Sequence, residues 1–141
     1  MKFNAIRISS VTLKAIAHAA AAAYPEEGCG LLIGTIREDT VEIASSRPSQ
    51  NVAEENRRKR YTVNPLAIVH AQRAASQSGM DVVGVYHSHP DHAASPSAQD
   101  AVCALEYFVY IIVPVNAGLP NTSRAWQFVD GAFCEMELRV D

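Results

Sequence analysis

The sequence predicts a single α/β domain with a mixed β-sheet flanked by helices. Three observations predict it: a length of 141 residues, a content of 48% hydrophobic and 19% charged residues, and β-branched apolar runs that alternate with helix-periodic segments. A chain of this length can bury a core without disulfides or a structural metal. We therefore expect residues 1–141 to form one domain.

The first half of the chain predicts a strand, a helix and a hairpin. FNAIRI alternates as a short strand does, and an alanine-rich segment with a serine cap predicts a helix that ends before Pro25. CGLLIGTI and TVEIASS are typical of two paired strands, with glycines where another group comes close to the backbone. The polar residues 47–60 predict a loop.

The second half predicts two helices and four strands. Asn64-Pro65 provides a cap and a first helical position for a helix that runs to about Ser78. DVVGVYH is typical of a central strand, and residues 97–106 predict a third helix. NAGLPNTS predicts a turn, and the last three strands are YFVYIIVPV, RAWQFVD and AFCEMELRV.

Composition argues against several classes of partner without excluding them. A net charge of −3 and an isoelectric point near 5.9 argue against nucleic acid or an anionic membrane. Three cysteines without a C-x-x-C spacing indicate a reducing compartment rather than a disulfide framework. MKFNAIRISS lacks the continuous apolar core of a secretory signal, so we expect a cytoplasmic protein. A homo-oligomer remains an open alternative.

The polar cluster GVYHSHPDHAASPSAQD contains a candidate metal site. His87 and His89 are two residues apart at the end of a predicted strand, so both side chains point to the same side. Ser97 can open the following helix, which places Asp100 in its first turn. Two imidazoles and a carboxylate form a complete protein ligand set for catalytic Zn²⁺, with one position left for water.

Each of these residues also has a simpler explanation. Ser97-x-x-Asp100 is close to a capping box, and an acidic residue is favourable at a helix N-terminus without any metal. His87 alone would be an ordinary histidine at a strand end. The combination of a same-side histidine pair with an acidic first turn favours the metal site.

The cluster resembles the signature of the JAMM (MPN+) zinc metalloproteases. HSHPDHAASPSAQD matches H-x-H-P-x(6)-S-x-x-D at every specified position. YPEEGCGLLIG is similar to the element that carries the family's glutamate, and Glu27, rather than Glu26, stands at the matching position. The resemblance covers nearly the whole chain and implies an MPN domain of the cytidine-deaminase-like type.

The resemblance implies a mechanism for the site. His87, His89 and Asp100 would hold Zn²⁺, which lowers the pKa of a water towards about 7. Glu27 would act as the general base and return the proton to the leaving amine. Ser97 would donate a hydrogen bond to the tetrahedral oxyanion. None of these residues departs from the family pattern, so we expect a metal-dependent hydrolase of peptide or isopeptide bonds.

The short chain is similar to the compact prokaryotic members of this family. Little room remains after Ser97 for a second ubiquitin-gripping insertion. The resemblance therefore implies a ubiquitin-like or sulfur-carrier protein as substrate, cleaved at its C-terminal tail. Two alternatives remain: a DNA-repair-associated protein resembling the RadC family, and a non-catalytic MPN scaffold.

Other titratable residues have weaker signals. The basic run 57–60 would either dock an acidic protein or form a solvated loop edge, and we favour the second interpretation. We expect His92 to be solvated and Cys29 to be a buried structural cysteine. His18 and His70 lie on predicted helices. In the family, the region of Asn51, Arg60 and Tyr61 often helps to hold substrate.

Overall fold

The computed structural model describes residues 1–141 as eight strands and three helices, and it confirms the α/β class. The helices are α1 Ser10–Ala22, α2 Pro65–Gln77 and α3 Ala98–Val102. The strands are β1 Ala5–Ile8, β2 Cys29–Arg37, β3 Thr40–Ser49, β4 Asp81–Pro90, β5 Val109–Asn116, β6 Leu119–Pro120, β7 Arg124–Val129 and β8 Ala132–Val140. No helix is both long enough and apolar enough to span a membrane.

The strands form one mixed sheet that closes on itself. Their order is β4-β2-β3-β1-β8-β7-β5-β6, and a further pairing of β4 with β5 closes the sheet, with the short β6 attached to the end of β5. β1 runs parallel to β3 and to β8, and β4 runs parallel to β5, whereas the other pairs are antiparallel. β4 therefore has a hydrogen-bonded neighbour on each side, and its eight residues from Val82 to His89 are buried.

The two faces of the sheet pack against different helices. On one face, Tyr86 belongs to a core cluster that includes Ile16 and Ala20 of α1. On the other face, Val85 belongs to a second cluster that includes Ala71 and Ala75 of α2. Side chains alternate along a strand, so this division fixes which β4 residues face α2.

The glycines of β2 lie where we expected close approaches to the backbone. A Cβ at Gly30 would overlap the ring of Tyr86, and one at Gly34 would overlap the carbonyl group of Glu42. Gly30 thus allows the Tyr86 ring to lie directly over β2, against the strand that leads to the predicted site.

Three predicted elements differ from the structure. The loop predicted over residues 47–60 begins only after Ser49, because β3 continues to that residue and stays paired with β2. The third helix was expected to cover residues 97–106 but ends at Val102, because the chain turns back towards β5. The Leu105 amide donates to the Tyr110 hydroxyl group, and the Tyr107 amide donates to the Phe128 carbonyl group, instead of continuing the helix. The predicted turn NAGLPNTS also contains the two-residue strand β6, which pairs with the end of β5.

Candidate metal centre

β4 places the two motif histidines on the face that packs against α2. Val85, His87 and His89 alternate with Tyr86 and Ser88, so the two imidazoles point to the same side. Both histidines are fully buried. Their Nε2 atoms converge to 3.2 Å. The sequence prediction that they can meet one ion agrees with this geometry.

α3 brings Asp100 to the histidine pair. Its Oδ2 atom lies 3.2 Å from His87 Nε2 and 3.0 Å from His89 Nε2. A capping box fixes this position: the Asp100 amide donates to Ser97 Oγ, and the Ser97 amide donates to Asp100 Oδ2. The cap and the converging donor atoms therefore coexist, and the two explanations weighed for this segment do not exclude each other.

The three donor atoms fit a zinc ion. They form a nearly equilateral triangle with edges of 3.0 to 3.2 Å. Ligands at about 2.0–2.1 Å in a tetrahedron are separated by about 3.3 Å, so a small adjustment would accommodate Zn²⁺. His89 Nδ1 lies 2.6 Å from the Ala93 carbonyl oxygen. Donation to that oxygen leaves the Nε2 lone pair free to bind a metal.

The electrostatics of the triangle favour a positive charge at its centre. Burial opposes the charged form of Asp100, but hydrogen bonds with His87 and His89 hold the pKa of this carboxyl well below its usual range. Burial lowers the pKa of His87. Burial also disfavours charge on His89, yet its hydrogen bonds to Asp100 and to the Ala93 carbonyl raise its pKa overall. The carboxylate thus stays anionic and attracts a cation.

Glu27 reaches the site through the register of β2 against β4. Cys29 pairs with His87 in this antiparallel ladder, so a continuation by two residues brings Glu27 level with His89. Ser88 extends the ladder: its amide donates to the Gly28 carbonyl (2.9 Å), and its hydroxyl accepts from the Gly28 amide (2.8 Å). A Glu27 carboxylate oxygen lies within 4.8 Å of a ring nitrogen of His89.

The Glu27 side chain is buried without a full set of partners. It is 2% exposed, and its Oε1 atom has no hydrogen-bond partner. The pKa of Glu27 is raised from 4.5 to about 8, mainly by burial. The charge of His89 lowers this pKa, and the charge of Asp100 raises it. Glu26 is exposed and forms an ion pair with Arg57. Only Glu27 of the two acids faces the triangle.

Asn51 holds the loop before α2 against Glu27, a role that the sequence did not reveal. Its Nδ2 donates to the carbonyl oxygens of Glu27 (3.0 Å) and Arg60 (2.9 Å). Its Oδ1 accepts from the amides of Ala53 and Thr62, both at 3.1 Å. All four bonds are made within irregular backbone, and no periodic pattern in the sequence could have indicated them.

Two aromatic rings cover the histidines. Tyr61 stacks on His87 with ring centroids 4.4 Å apart, and His92 stacks on His89 at 4.2 Å. His92 is exposed, as expected, but it also covers one predicted ligand. Asp91, two residues beyond His89, accepts from the Tyr24 hydroxyl and the Ala117 amide, so it anchors the turn that leaves the site.

The remaining candidate residues either lie outside the site or are unsuited to act as nucleophiles. His18 and His70 are exposed on α1 and α2. Cys29 is buried in β2, and burial raises its pKa to about 12, so the thiol stays protonated at neutral pH. A cysteine nucleophile at this position is therefore unfavourable.

Comparisons with known proteins agree with the site. Residues 9–129 match the family described as prokaryotic homologues of the JAB domain. A desampylase of Haloferax volcanii is 39% identical over 118 residues, which are 83% of this chain and 80% of that protein. A probable TtuB-protein conjugate cleaving protease of Thermus thermophilus is 33% identical over 89 residues, 62% of this chain and 55% of that protein.

The fold is shared with a solved structure. A protein of Desulfitobacterium hafniense superposes with a TM-score of 0.85 at 22% identity, over 96% of this chain and 92% of that one. At this identity the match concerns the fold alone. The family match spans residues 9–129, which contain the motif positions and Glu27, and it confirms the resemblance found in the sequence. The chain belongs to the prokaryotic JAB-domain family, within the JAMM (MPN+) proteins.

Proposed function

We propose that the protein is a zinc-dependent peptidase or isopeptidase that cleaves a bond at the C-terminal tail of a ubiquitin-like protein of the sulfur-carrier type. One observation carries this proposal: the buried carboxylate of Glu27, with an unpartnered oxygen, lies beside three converging ligand atoms. The names of the relatives, a desampylase and a probable conjugate cleaving protease, support the class of substrate.

The residues divide the reaction between them. His87, His89 and Asp100 would hold Zn²⁺, which when bound supplies Lewis-acid activation of a water. Glu27 accepts the proton of the attacking water and returns it to the leaving amine. Burial favours this role because the raised pKa of about 8 makes Glu27 a stronger base than an exposed carboxylate. The charge of His89 lowers the pKa of Glu27, which favours the ionised carboxylate that can accept a proton.

Ser97 has a hydrogen atom available for the oxyanion. Its Oγ accepts from the Asp100 amide, which uses a lone pair and leaves the hydroxyl hydrogen free. We assign this hydrogen to the oxygen of the scissile carbonyl, where negative charge develops as the water attacks. The capping box holds Ser97 and Asp100 together, so the donor and the third ligand move as one unit.

We place this activity in a single domain in the cytoplasm. Three free cysteines, of which Cys103 is exposed, suit a reducing compartment. A scaffold without activity has less support, because a structural role requires no ionisable carboxyl at Glu27. A RadC-like role in DNA repair has less support because the net charge is −3.

The test uses a ubiquitin-like sulfur carrier that bears extra residues beyond its terminal Gly-Gly, here named the tail-extended carrier. The purified protein is assayed for zinc and incubated with this carrier, and the product is read by intact mass. We expect loss of the added residues, which a chelator and Glu27→Gln both abolish. Glu26→Gln is the matched control, because it changes the neighbouring exposed acid and leaves cleavage intact.

Two results would contradict the proposal. Stoichiometric zinc without cleavage of a panel of such carriers and of isopeptide-linked conjugates would favour a scaffold. Binding to duplex DNA that is insensitive to Glu27→Gln, without any cleavage, would favour the RadC-like alternative.

A further inference from the structure

The four consecutive basic residues 57–60, here named the basic segment, lie beside the catalytic glutamate. They carry four of the twelve lysine and arginine residues in a chain with a net charge of −3. All four side chains are exposed. Only Arg57 forms an ion pair, with Glu26 at 3.6 Å, and both of these side chains are about half exposed. Arg58, Lys59 and Arg60 have no such partner.

The backbone of the segment is attached to the site. The Glu27 amide donates to the Arg57 carbonyl at 2.8 Å. Asn51 connects the far end, since its Nδ2 bonds both the Arg60 and the Glu27 carbonyls. Between these points the Lys59 and Arg60 amides donate to the Asn56 carbonyl and form a tight turn. A solvated loop edge, the interpretation favoured from sequence, needs none of these attachments.

The attachments fix the direction in which the charges face. The carbonyls of its first and last residues, Arg57 and Arg60, accept hydrogen bonds from Glu27 and Asn51. The backbone is thus held next to Glu27, and the exposed side chains extend from there into solvent. A cleft of about 490 Å³ runs next to it, lined by Arg60 together with Ala53, Glu54, Glu55, Thr62 and Gln99. Since Gln99 belongs to α3, this cleft lies between the loop and the helix that carries Asp100.

We propose that the basic segment docks an acidic face of the folded body of the protein substrate while its tail enters the metal centre. The proposal rests on the hydrolase function proposed above, and it adds that the folded substrate has an acidic surface near its tail. A protein partner fits better than nucleic acid, because the segment is short and Glu54 and Glu55 lie in the same loop. A long, uniformly charged polyanion would be repelled by these two carboxylates, whereas a local acidic patch could contact the basic segment without approaching them.

This docking changes the kinetics in a defined way. Charges at the rim of an interface act mainly on the rate of association, and salt screens them over about 8–10 Å. The basic segment should therefore raise kcat/KM for a folded substrate and leave kcat nearly unchanged. A short tail peptide lacks the folded acidic face, so its cleavage depends much less on these charges.

The test variant is Arg58→Glu/Lys59→Glu, which keeps the anchoring residues and reverses two unpaired charges. Lys2→Glu/Lys14→Glu is the matched control, because it produces the same net charge with exposed lysines that form no ion pair. Both variants are compared with wild type on the tail-extended carrier and on a peptide of its last residues across the scissile bond. Circular dichroism melting confirms that each variant is folded.

We expect Arg58→Glu/Lys59→Glu to lower kcat/KM for the carrier, relative to the peptide, by about tenfold or more at low salt. The difference should shrink at 0.5 M NaCl, and the control should resemble wild type. An unchanged ratio, or an equal effect from the control variant, would overturn the proposal. Tight, salt-dependent binding of a labelled DNA duplex that the test variant loses would also overturn it, in favour of nucleic acid.

Failure of the hydrolase proposal would be recognised separately. If wild type cleaves neither substrate, binding of the carrier to Glu27→Gln is measured by fluorescence anisotropy at several salt concentrations. Binding weakened about tenfold by Arg58→Glu/Lys59→Glu, and not by the control, would support docking without hydrolysis. Equal binding by all variants would refute docking by the basic segment, independently of whether the protein is a hydrolase.

Discussion

The substitution Glu27→Gln should stabilise the metal-free protein at neutral pH. Glu27 is 2% exposed, and burial raises its pKa from 4.5 to about 8. Below pH 4.5 this carboxyl is protonated in both the folded and the unfolded chain. Between the two values only the unfolded chain loses the proton, so the free energy of unfolding falls as pH rises. Glutamine has nearly the same shape and no proton to lose.

The magnitude follows from the two pKa values. A tenfold change in an acid constant corresponds to about 1.4 kcal/mol. At pH 7.5 the raised pKa of Glu27 therefore costs the folded state about 4 kcal/mol, whereas at pH 5 it costs about 1 kcal/mol. The stability difference between Glu27→Gln and wild type should widen by about 3 kcal/mol over this interval. Groups that do not interact with Glu27 titrate in the same way in both proteins and cancel, whereas the interaction of Glu27 with His89 is lost in Glu27→Gln.

The assay is urea unfolding of wild type, Glu27→Gln and Glu26→Gln in the presence of a chelator, from pH 5 to pH 8. Glu26→Gln serves as the control because Glu26 is exposed, and its curve should run parallel to wild type. Zinc should flatten the wild-type dependence, because a cation beside Glu27 lowers the pKa of its carboxyl. Parallel curves for Glu27→Gln and wild type, within about 0.5 kcal/mol, would refute the reasoning.

Three further substitutions test the other parts of the site. Asp100→Asn removes the carboxylate that we propose as the anionic zinc ligand, so zinc content measured by mass spectrometry should fall well below one ion per chain. Ser97→Ala should cost about 1 kcal/mol of stability through the lost cap and lower kcat by about 10²- to 10³-fold, whereas Ser97→Thr should retain the cap. Asn51→Ala should cost about 1–3 kcal/mol and lower kcat with an altered pH profile, because the backbone of Glu27 loses a hydrogen bond. An unchanged pH profile would show that Asn51 supports only the loop.

The histidine pair and the buried strands could be predicted from local patterns. The spacing of His87 and His89 at the end of an apolar run fixes their common direction once the strand is recognised. Ser97 and Asp100 follow from helix-capping chemistry in the same way. These inferences need only a few neighbouring residues, and the structure places each of these side chains as the spacing predicts.

Glu27 could not be placed by local reasoning. It meets His89 only because β2 pairs with β4 in one particular register, which depends on the whole closed sheet. The sequence identified Glu27 through a family resemblance, not through periodicity. Asn51 had no comparable signal for its four hydrogen bonds, because they connect irregular segments. The early end of α3 has a similar cause, a long-range turn towards β5 and β7.

The energetics of the site argue for chemistry over scaffolding. Burying the Glu27 carboxyl without a partner for Oε1 costs the folded chain about 4 kcal/mol at pH 7.5, a large part of the stability of an ordinary domain. The same arrangement leaves His87 Nδ1 unpartnered and forces three ionisable groups together out of water. Neutral or apolar side chains would fill this space at less cost. A purely structural module could use the three ligands but would gain nothing from the unpartnered buried acid of Glu27, whereas a hydrolase needs a desolvated base beside its metal ligands.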